Sequence, residues 1–226
     1  MFKRFSILLC CLALFACDAA ANKAAETKFV AGTHYEVVAE KATKQPEVRE
    51  FFSFFCGHCY HFEPIAVALS KKLPAGVELQ KNHVDFLQAA SPDVQNAMAR
   101  GYLVGKSIGK GDETAAMIFH YIHKNQGKFT NVDDIRSLLL VNDFDAAVFD
   151  SKFNSLPILS AAQQMKDQQN LWSSTASPSN PQMPVLAGVP MLLVNGKYQV
   201  KLGSLDPKNI DAELAELVNY LLKKQD

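Results

Sequence analysis

Cysteine is scarce in this sequence, and its placement excludes two common kinds of cysteine site. The chain has five cysteines in 226 residues, and none follows Cys59. A structural zinc site takes four ligands, typically from two separated pairs, so the lack of a second cysteine pair argues against zinc. Covalent haem attachment needs Cys-x-x-Cys-His, and Tyr60 occupies the histidine position. We therefore expect neither a metal nor a haem at the pair formed by Cys56 and Cys59.

An excess of charge of one sign is also missing. Lysine plus arginine number 23, as do aspartate plus glutamate. With Lys3 and Arg4 assigned to a leader, the chain from Asp18 onward has 21 basic and 23 acidic residues. This balance gives no electrostatic footprint for nucleic acid, which we do not expect as a partner. No internal repeat is visible, and the 48% hydrophobic content is ordinary for a globular protein.

The apolar run near the start is too short to span a bilayer. Lys3-Arg4 precede an apolar stretch from Phe5 to Cys17, which is typical of a secretion signal. Leu14-Phe15-Ala16-Cys17 is similar to the bacterial lipobox, in which the cysteine receives lipid. Cleavage after Ala21 is the alternative, because small residues precede that position. We predict a signal peptide over residues 1–17, lipid on Cys17 and a tether over 18–28.

Either cleavage removes Cys10 and Cys11 from the mature protein. One Cys-x-x-Cys pair then remains, with at most one lipidated cysteine. Such a protein is not a scaffold held by many disulfides. It is exported to a compartment where disulfides form, and it keeps its single pair for chemistry.

The cysteine pair lies where a strand pattern changes to a helix pattern. Phe51-Phe52-Ser53-Phe54-Phe55 indicates a buried strand, and apolar residues then recur at helical spacing. A helix start offers unpaired N–H groups and a positive dipole end, which favour a thiolate. We predict that Cys56 is the nucleophile and that Cys59, one turn on, is the resolving thiol. The alternative is a structural disulfide, but so short a loop removes only about 2 kcal/mol of unfolded-chain entropy.

The remaining pattern predicts the order strand, helix, strand, helical block, hairpin and helix. The central strand begins at Val48 and contains Glu50, and the next strand, Val77 to Phe86, carries Lys81. Lys81 is a partner for Glu50 if the strands are neighbours, or else a solvated edge lysine. A helical block is expected from about Leu87 to Leu171. Its first four helices are predicted to begin at capping residues, which are Ser91, Asp112, Asn131 and Asp143, and a last helix is predicted from Ile158.

Three further features are predicted in the second half of the chain. His120 and His123, on a helix of that block, are expected to serve packing and the helix surface rather than a site. Asn195-Gly196 between two apolar runs predicts a hairpin with a type I′ turn. Asp206-Pro207 is expected to open a final amphipathic helix.

The chain resembles the DsbA family, the periplasmic thiol:disulfide oxidoreductases of Gram-negative bacteria. Three motifs carry the resemblance, which covers nearly the whole mature chain: Phe51-Phe52-Ser53-Phe54-Phe55-Cys56-x-His58-Cys59-Tyr60-x-Phe62-Glu63, Lys71-Lys72-Leu73-Pro74-x-Gly76-Val77, and Gly188-Val189-Pro190 with Val194-Asn195-Gly196-Lys197-Tyr198. The resemblance implies an α/β thioredoxin fold with an inserted helical domain. The thioredoxin domain is expected over residues 29–86 and 172–226, and the helical domain over 87–171.

The resemblance also implies roles for individual residues. Cys56 and Cys59 form the redox-active disulfide, with no separate cofactor, and His58 helps to stabilise the Cys56 thiolate. Glu50 and Lys81 match the family's buried acid–base pair, which moves the proton of Cys59.

The expected substrate-binding residues are Val189, Pro190 and Gly57. Pro190 matches the cis-proline that faces the cysteines, and Val189 offers backbone to an extended substrate. Gly57-His58 replaces the Pro-His of the family archetype, which affects redox strength. The loop 173–184 is longer than the resemblance leads us to expect, which predicts a reshaped substrate groove.

The expected function is donation of the disulfide to reduced exported proteins through a mixed disulfide. The resemblance implies a periplasmic protein that a quinone-linked membrane partner of the DsbB type reoxidises. We expect it to be a monomer, held at a membrane by the lipid on Cys17. A disulfide reductase or isomerase is the nearest alternative. A periplasmic chaperone or metal-binding module is a more distant one.

We predict that Cys17 carries lipid. Intact mass of the membrane-extracted protein should show acyl chains on this residue, and a Cys17→Ser variant should lose both the added mass and the membrane association. A soluble mature protein that starts at Asn22 would instead establish cleavage after Ala21.

Overall fold

The computed structural model describes residues 28–224. The predicted signal peptide, Cys17 and nearly all of the predicted tether lie outside these residues. Their assignments stay predictions.

A mixed five-stranded sheet forms the centre of the fold. Its strands run in the order β1-β5-β4-β2-β3. Strand β2 pairs in parallel with β3 and antiparallel with β4, and β5 pairs antiparallel with both β4 and β1. The strands are β1 Tyr35–Val37, β2 Val48–Phe52, β3 Leu79–His83, β4 Met191–Val194 and β5 Tyr198–Val200.

Seven α-helices accompany this sheet in the described part of the chain. They are α1 Gly57–Ser70, α2 Pro92–Ser107, α3 Gly111–His123, α4 Asp134–Leu140, α5 Ala146–Phe153, α6 Leu156–Ser174 and α7 Ile210–Lys223, with a short 3₁₀ turn at Leu202–Ser204. Helices α2 to α6 are inserted between β3 and β4. None of the helices described is long and apolar enough to cross a bilayer.

Neighbouring side chains of β2 point to opposite faces of the sheet and pack in two separate cores. Phe51 packs with Leu193 and with Trp172 at the end of α6. Phe52, pointing to the opposite face, joins the cysteines and the inserted helices in one cluster. A third cluster packs α1 and α7 against the sheet. The cysteine pair therefore belongs to the contact between the sheet and the inserted helices.

Strand β2 is shorter than the aromatic run predicted. It ends at Phe52, and the next three residues form a turn in which the Cys56 N–H donates to the Ser53 carbonyl at 3.0 Å. The Ser53 hydroxyl accepts from the Phe55 N–H. The turn lets Phe54 leave the sheet and pack against Phe119 of α3. Strand β3 is likewise shorter than predicted.

The capping prediction is correct only in part. Ser91 caps α2 by accepting from the Val94 N–H. Helix α5 is capped by Asp145, two residues later than predicted. The prediction is wrong for α3, which begins after Lys110 with no side-chain cap. It is also wrong for α4, where the Asp134 carboxylate accepts from the preceding loop.

The hairpin prediction is confirmed. Asn195 and Gly196 have φ angles of 53° and 58°, as a type I′ turn requires. The Lys197 N–H donates to the Val194 carbonyl at 3.0 Å and closes the turn.

Burial of His83 predicts a part of the stability that depends on pH. This side chain at the end of β3 is 4% exposed and stacks on Phe54 with ring centroids 5.2 Å apart. Burial lowers the pKa of His83 from 6.5 to about 4, although the Asp85 carboxylate acts the other way. The unfolded chain therefore binds the proton more readily. The stabilising free energy is fully present above about pH 6.5 and is lost as pH falls towards 4, by about 3 kcal/mol.

Denaturant unfolding between pH 7 and pH 4 checks this expectation. A His83→Leu variant should show a smaller loss of unfolding free energy over this range than the wild type does. The exposed His61, changed to Leu, is the matched control and should keep the wild-type slope. Equal slopes for His83→Leu and wild type would contradict the assignment.

Candidate active site

Cys56 is the N-cap residue of α1. Its φ and ψ angles are −87° and 115°, and its Sγ accepts the Cys59 N–H at 3.3 Å. The sulfur thus meets one of the N–H groups that a helix start leaves unpaired. Such a donor and the helix dipole favour negative charge on this sulfur. Cys56 is 8% exposed, so a small part of its surface reaches solvent.

Cys59 differs from Cys56 in its surroundings. It is 0% exposed, and both cysteines are free thiols in this structure. Burial raises the pKa of Cys59 well above its ordinary range, a hydrogen bond to Cys56 adds to the rise, and so does the negative charge of Glu50. Cys59 is therefore held as a protonated thiol, one turn behind Cys56, which is also buried but keeps its small exposed fraction.

The peptide bond between Val189 and Pro190 is cis. The Cys56 thiol donates to the Val189 carbonyl, with an Sγ to O distance of 3.4 Å. Both residues are half-buried. The structure thus brings Val189 into contact with Cys56, and Pro190 follows it through the cis bond.

Three charged side chains lie together beneath the pair. The Lys81 Nζ lies 3.0 Å from Glu50 Oε2 and also contacts Glu63 Oε2. All three are buried, and Glu50 is directly opposite Lys81 in the parallel register of β2 and β3. The alternative of a solvated edge lysine is therefore wrong.

Burial and charge pairing act in opposite directions on the pKa values in this cluster. Burial alone lowers the pKa of Lys81, but the Glu50 and Glu63 carboxylates outweigh it and the net pKa is raised. Burial raises the pKa of Glu63, against the opposite effect of Lys81, and Glu50 adds to the rise. Lys81 is thus held as a cation. Glu63 holds a proton more readily than an exposed glutamate does.

Sequence reasoning assigned no site role to Glu63. It follows Cys59 by four residues on α1, so the two share a helix face. An acidic residue at that spacing behind a buried cysteine was the available signal. A site role for Glu63 could not be inferred from that spacing alone, because it depends on contact with Lys81, which is distant in sequence.

His58 and Gly57 lie at the exposed start of α1. A Cβ added to Gly57 would meet no atom within 4 Å, so the site accommodates a larger side chain there. Both residues are open to a bound substrate. The predicted role of His58 in stabilising the Cys56 thiolate stays a prediction.

His123 also reaches the active-site segment, which the sequence did not indicate. Its Nε2 lies 2.8 Å from the Phe54 carbonyl oxygen, and its ring stacks on Tyr60 with centroids 4.9 Å apart. The expectation that it serves packing and surface alone is incomplete. Within residues 28–224, no group of three or more His, Cys, Asp or Glu side chains is arranged to hold a metal ion.

Comparison with known proteins identifies relatives of this chain. A model of the DsbA-like thioredoxin domain matches residues 47–215. The thiol:disulfide interchange protein DsbA of Pectobacterium carotovorum subsp. carotovorum is 32% identical over 212 residues, covering 91% of this chain and 94% of the relative. The same protein of Escherichia coli K12 is 31% identical over 212 residues, again covering 91% and 94%.

Solved structures that resemble this chain are also DsbA proteins. A Proteus mirabilis DsbA variant with a non-covalently bound peptide matches with a TM-score of 0.72 and 26% identity, covering 88% of this chain and 100% of that chain. Pseudomonas aeruginosa DsbA matches with a TM-score of 0.64 and 28% identity, covering 85% and 94%. The predicted α/β thioredoxin fold with inserted helices is confirmed. The chain therefore belongs to the DsbA family of thiol:disulfide oxidoreductases.

Proposed function

We propose that this protein donates a disulfide between Cys56 and Cys59 to reduced exported proteins. One observation carries the proposal: Cys56 is the partly accessible cysteine at the start of α1, while Cys59 is fully buried. A substrate sulfur can reach only Cys56. The Cys59 N–H at 3.3 Å from the Cys56 sulfur favours negative charge on that sulfur as it leaves. A stabilised leaving thiolate makes the disulfide a good donor.

The reaction begins with the oxidised enzyme. A substrate thiolate attacks the Cys56 sulfur and forms a mixed disulfide, and the bond between the two cysteines breaks. Its electron pair goes to the Cys59 sulfur, which takes up a proton. The raised pKa of Cys59 favours that protonation.

A second substrate thiolate then completes the transfer. It attacks the substrate sulfur of the mixed disulfide, and Cys56 departs as a thiolate. The substrate has lost two electrons and gained a disulfide, and the enzyme is left as the reduced pair. No separate cofactor takes part.

The Val189 carbonyl is suited to hold the substrate during this exchange. It lies 3.4 Å from the Cys56 sulfur, so an extended chain that delivers a sulfur there passes within reach of Val189 backbone. Pro190 and the open surface at Gly57 complete the expected contact. The solved structure of Proteus mirabilis DsbA holds a non-covalently bound peptide, which supports an extended peptide as substrate.

Glu50, with Lys81, is suited to move the proton of Cys59. The charge of Glu50 acts on the Cys59 thiol, and Lys81 lies at 3.0 Å from the Glu50 carboxylate. Lys81 also lines a cavity of about 530 Å³ between α1, β3 and the connection from α2 to α3. That cavity gives the buried cluster a place to exchange protons with water.

Membership of the family supports a periplasmic setting. We place the protein in the periplasm of a Gram-negative bacterium, as a monomer that a membrane quinone-linked partner of the DsbB type reoxidises. Lipid on Cys17 would hold it at a membrane. We assign residues 29–86 and 172–226 to the thioredoxin domain and 87–171 to the inserted helical domain. Trp172 supports the second boundary because it packs on the sheet.

Catalysed oxidation tests the function. With a reduced, unfolded protein in excess, the wild type and a terminal oxidant should form disulfides over many turnovers. With oxidised glutathione as the oxidant, a Cys59→Ala variant should accumulate a mixed disulfide on Cys56, visible on non-reducing gels. The Cys56 thiolate attacks glutathione disulfide and expels one glutathione, a substrate thiolate then displaces the other, and no Cys59 thiol is present to release the substrate. Trapping by Cys56→Ala but not by Cys59→Ala would reverse the two roles. Faster reduction than oxidation of substrate by wild type would establish a reductase.

Two glutamine substitutions test the proton-transfer role of the charged cluster. Glu50→Gln should slow release of a mixed disulfide by Cys59 by about a hundredfold, because the Cys59 proton then has no nearby base. Attack of a second substrate thiolate on the mixed disulfide, in which Cys59 takes no part, should change less. Glu63→Gln is the matched control, since it removes the other carboxylate that contacts Lys81 but leaves the charge that acts on Cys59. Stopped-flow measurement of both steps would contradict the role if the two variants slowed release equally.

A further inference from the structure

We propose that His123 is a positioning residue for Cys56, acting through the turn that presents the sulfur. The proposal deepens the function proposed above and rests on it. His123 lies in the last turn of α3, in the inserted helical block. It therefore links that block directly to the active-site segment.

A hydrogen bond makes the first part of the link. The His123 Nε2 lies 2.8 Å from the Phe54 carbonyl oxygen. A carbonyl oxygen only accepts, so Nε2 must carry the proton and donate it. Phe54 itself is fully buried, which leaves its carbonyl little freedom to find another donor.

The bonded carbonyl belongs to the turn that sets the place of the nucleophile. Strand β2 ends at Phe52, and the Cys56 N–H closes the turn by donating to the Ser53 carbonyl at 3.0 Å. Phe54 is the middle of this turn. A shift of its carbonyl moves Cys56 relative to two partners, the Cys59 N–H at 3.3 Å and the Val189 carbonyl at 3.4 Å.

A ring contact makes the second part of the link. The His123 and Tyr60 rings stack with an interplanar angle of 17° and centroids 4.9 Å apart. Tyr60 follows Cys59 in α1, and its N–H donates to the Cys56 carbonyl at 3.0 Å. One imidazole therefore contacts the chain on both sides of Cys56, before it through Phe54 and after it through Tyr60.

A positioning role and a packing role predict different measurements. If His123 only packs, its loss lowers the stability of the oxidised and reduced forms alike, and the equilibrium with glutathione does not move. If it places the Cys56 sulfur against the Cys59 N–H, its loss affects the thiolate of the reduced form most. The equilibrium then shifts towards the oxidised enzyme.

Three variants separate the two contacts of His123. Glutamine keeps an N–H donor near the place of Nε2 and removes the ring, phenylalanine keeps the ring and removes the donor, and leucine removes both. His120→Leu is the matched control, because His120 is an exposed histidine on the same helix. Each variant is equilibrated in glutathione redox buffers, and denaturant unfolding is measured for both redox forms.

We expect His123→Phe and His123→Leu to lower the equilibrium constant for oxidation of glutathione by about threefold to tenfold, the range that one hydrogen bond spans. His123→Gln should stay within about twofold of wild type, as should His120→Leu. If the leucine variant does not fold, the phenylalanine and glutamine variants still distinguish a positioning role of His123 from a packing role.

Wild-type values for all His123 variants would overturn the positioning role, as would rescue by phenylalanine but not by glutamine. These outcomes differ from failure of the proposed function. That function fails if wild type does not oxidise a reduced unfolded protein, whereas the glutathione equilibrium is measured without any protein substrate.

Discussion

The buried ammonium group of Lys81 is the constraint on which the rest of the structure depends. It brings together three elements, because Lys81 lies on β3, Glu50 on β2 and Glu63 on α1. Breaking a buried ion pair by removing one partner costs about 3–5 kcal/mol, since a charge is left uncompensated. The parallel register of β2 and β3 is thereby coupled to the position of the helix that carries both cysteines.

Features that depend on a few neighbouring residues could be predicted from the sequence. The position of the cysteine pair at a helix start followed from one change of periodicity, and the turn at Asn195-Gly196 from one dipeptide. The contact of Glu50 with Lys81 could be named as one of two alternatives, because a charged residue in each of two core strands needs a partner. The choice between them required the sheet order.

Features decided by distant partners could not be predicted. Phe54 belongs to an aromatic run that is typical of a strand, but in the structure it lies outside the sheet and packs against side chains of the inserted helices. Helix α3 begins after Lys110 without a cap, which local capping preference does not anticipate. Glu63 contacts Lys81, and His123 contacts the Phe54 carbonyl. No pattern within either helix indicates these contacts.

The unequal burial of the two cysteines also bears on damage by peroxide. Cys56 keeps 8% of its surface exposed and Cys59 keeps none, so peroxide would attack Cys56 first, converting its thiol to a sulfenic acid and releasing water. Cys59, hydrogen-bonded to Cys56, is placed to displace the hydroxyl group and form the disulfide with loss of a second water. Further oxidation to irreversible sulfur acids would have to outpace a neighbouring thiol. Under oxidative stress the chain is thus directed to its own working form.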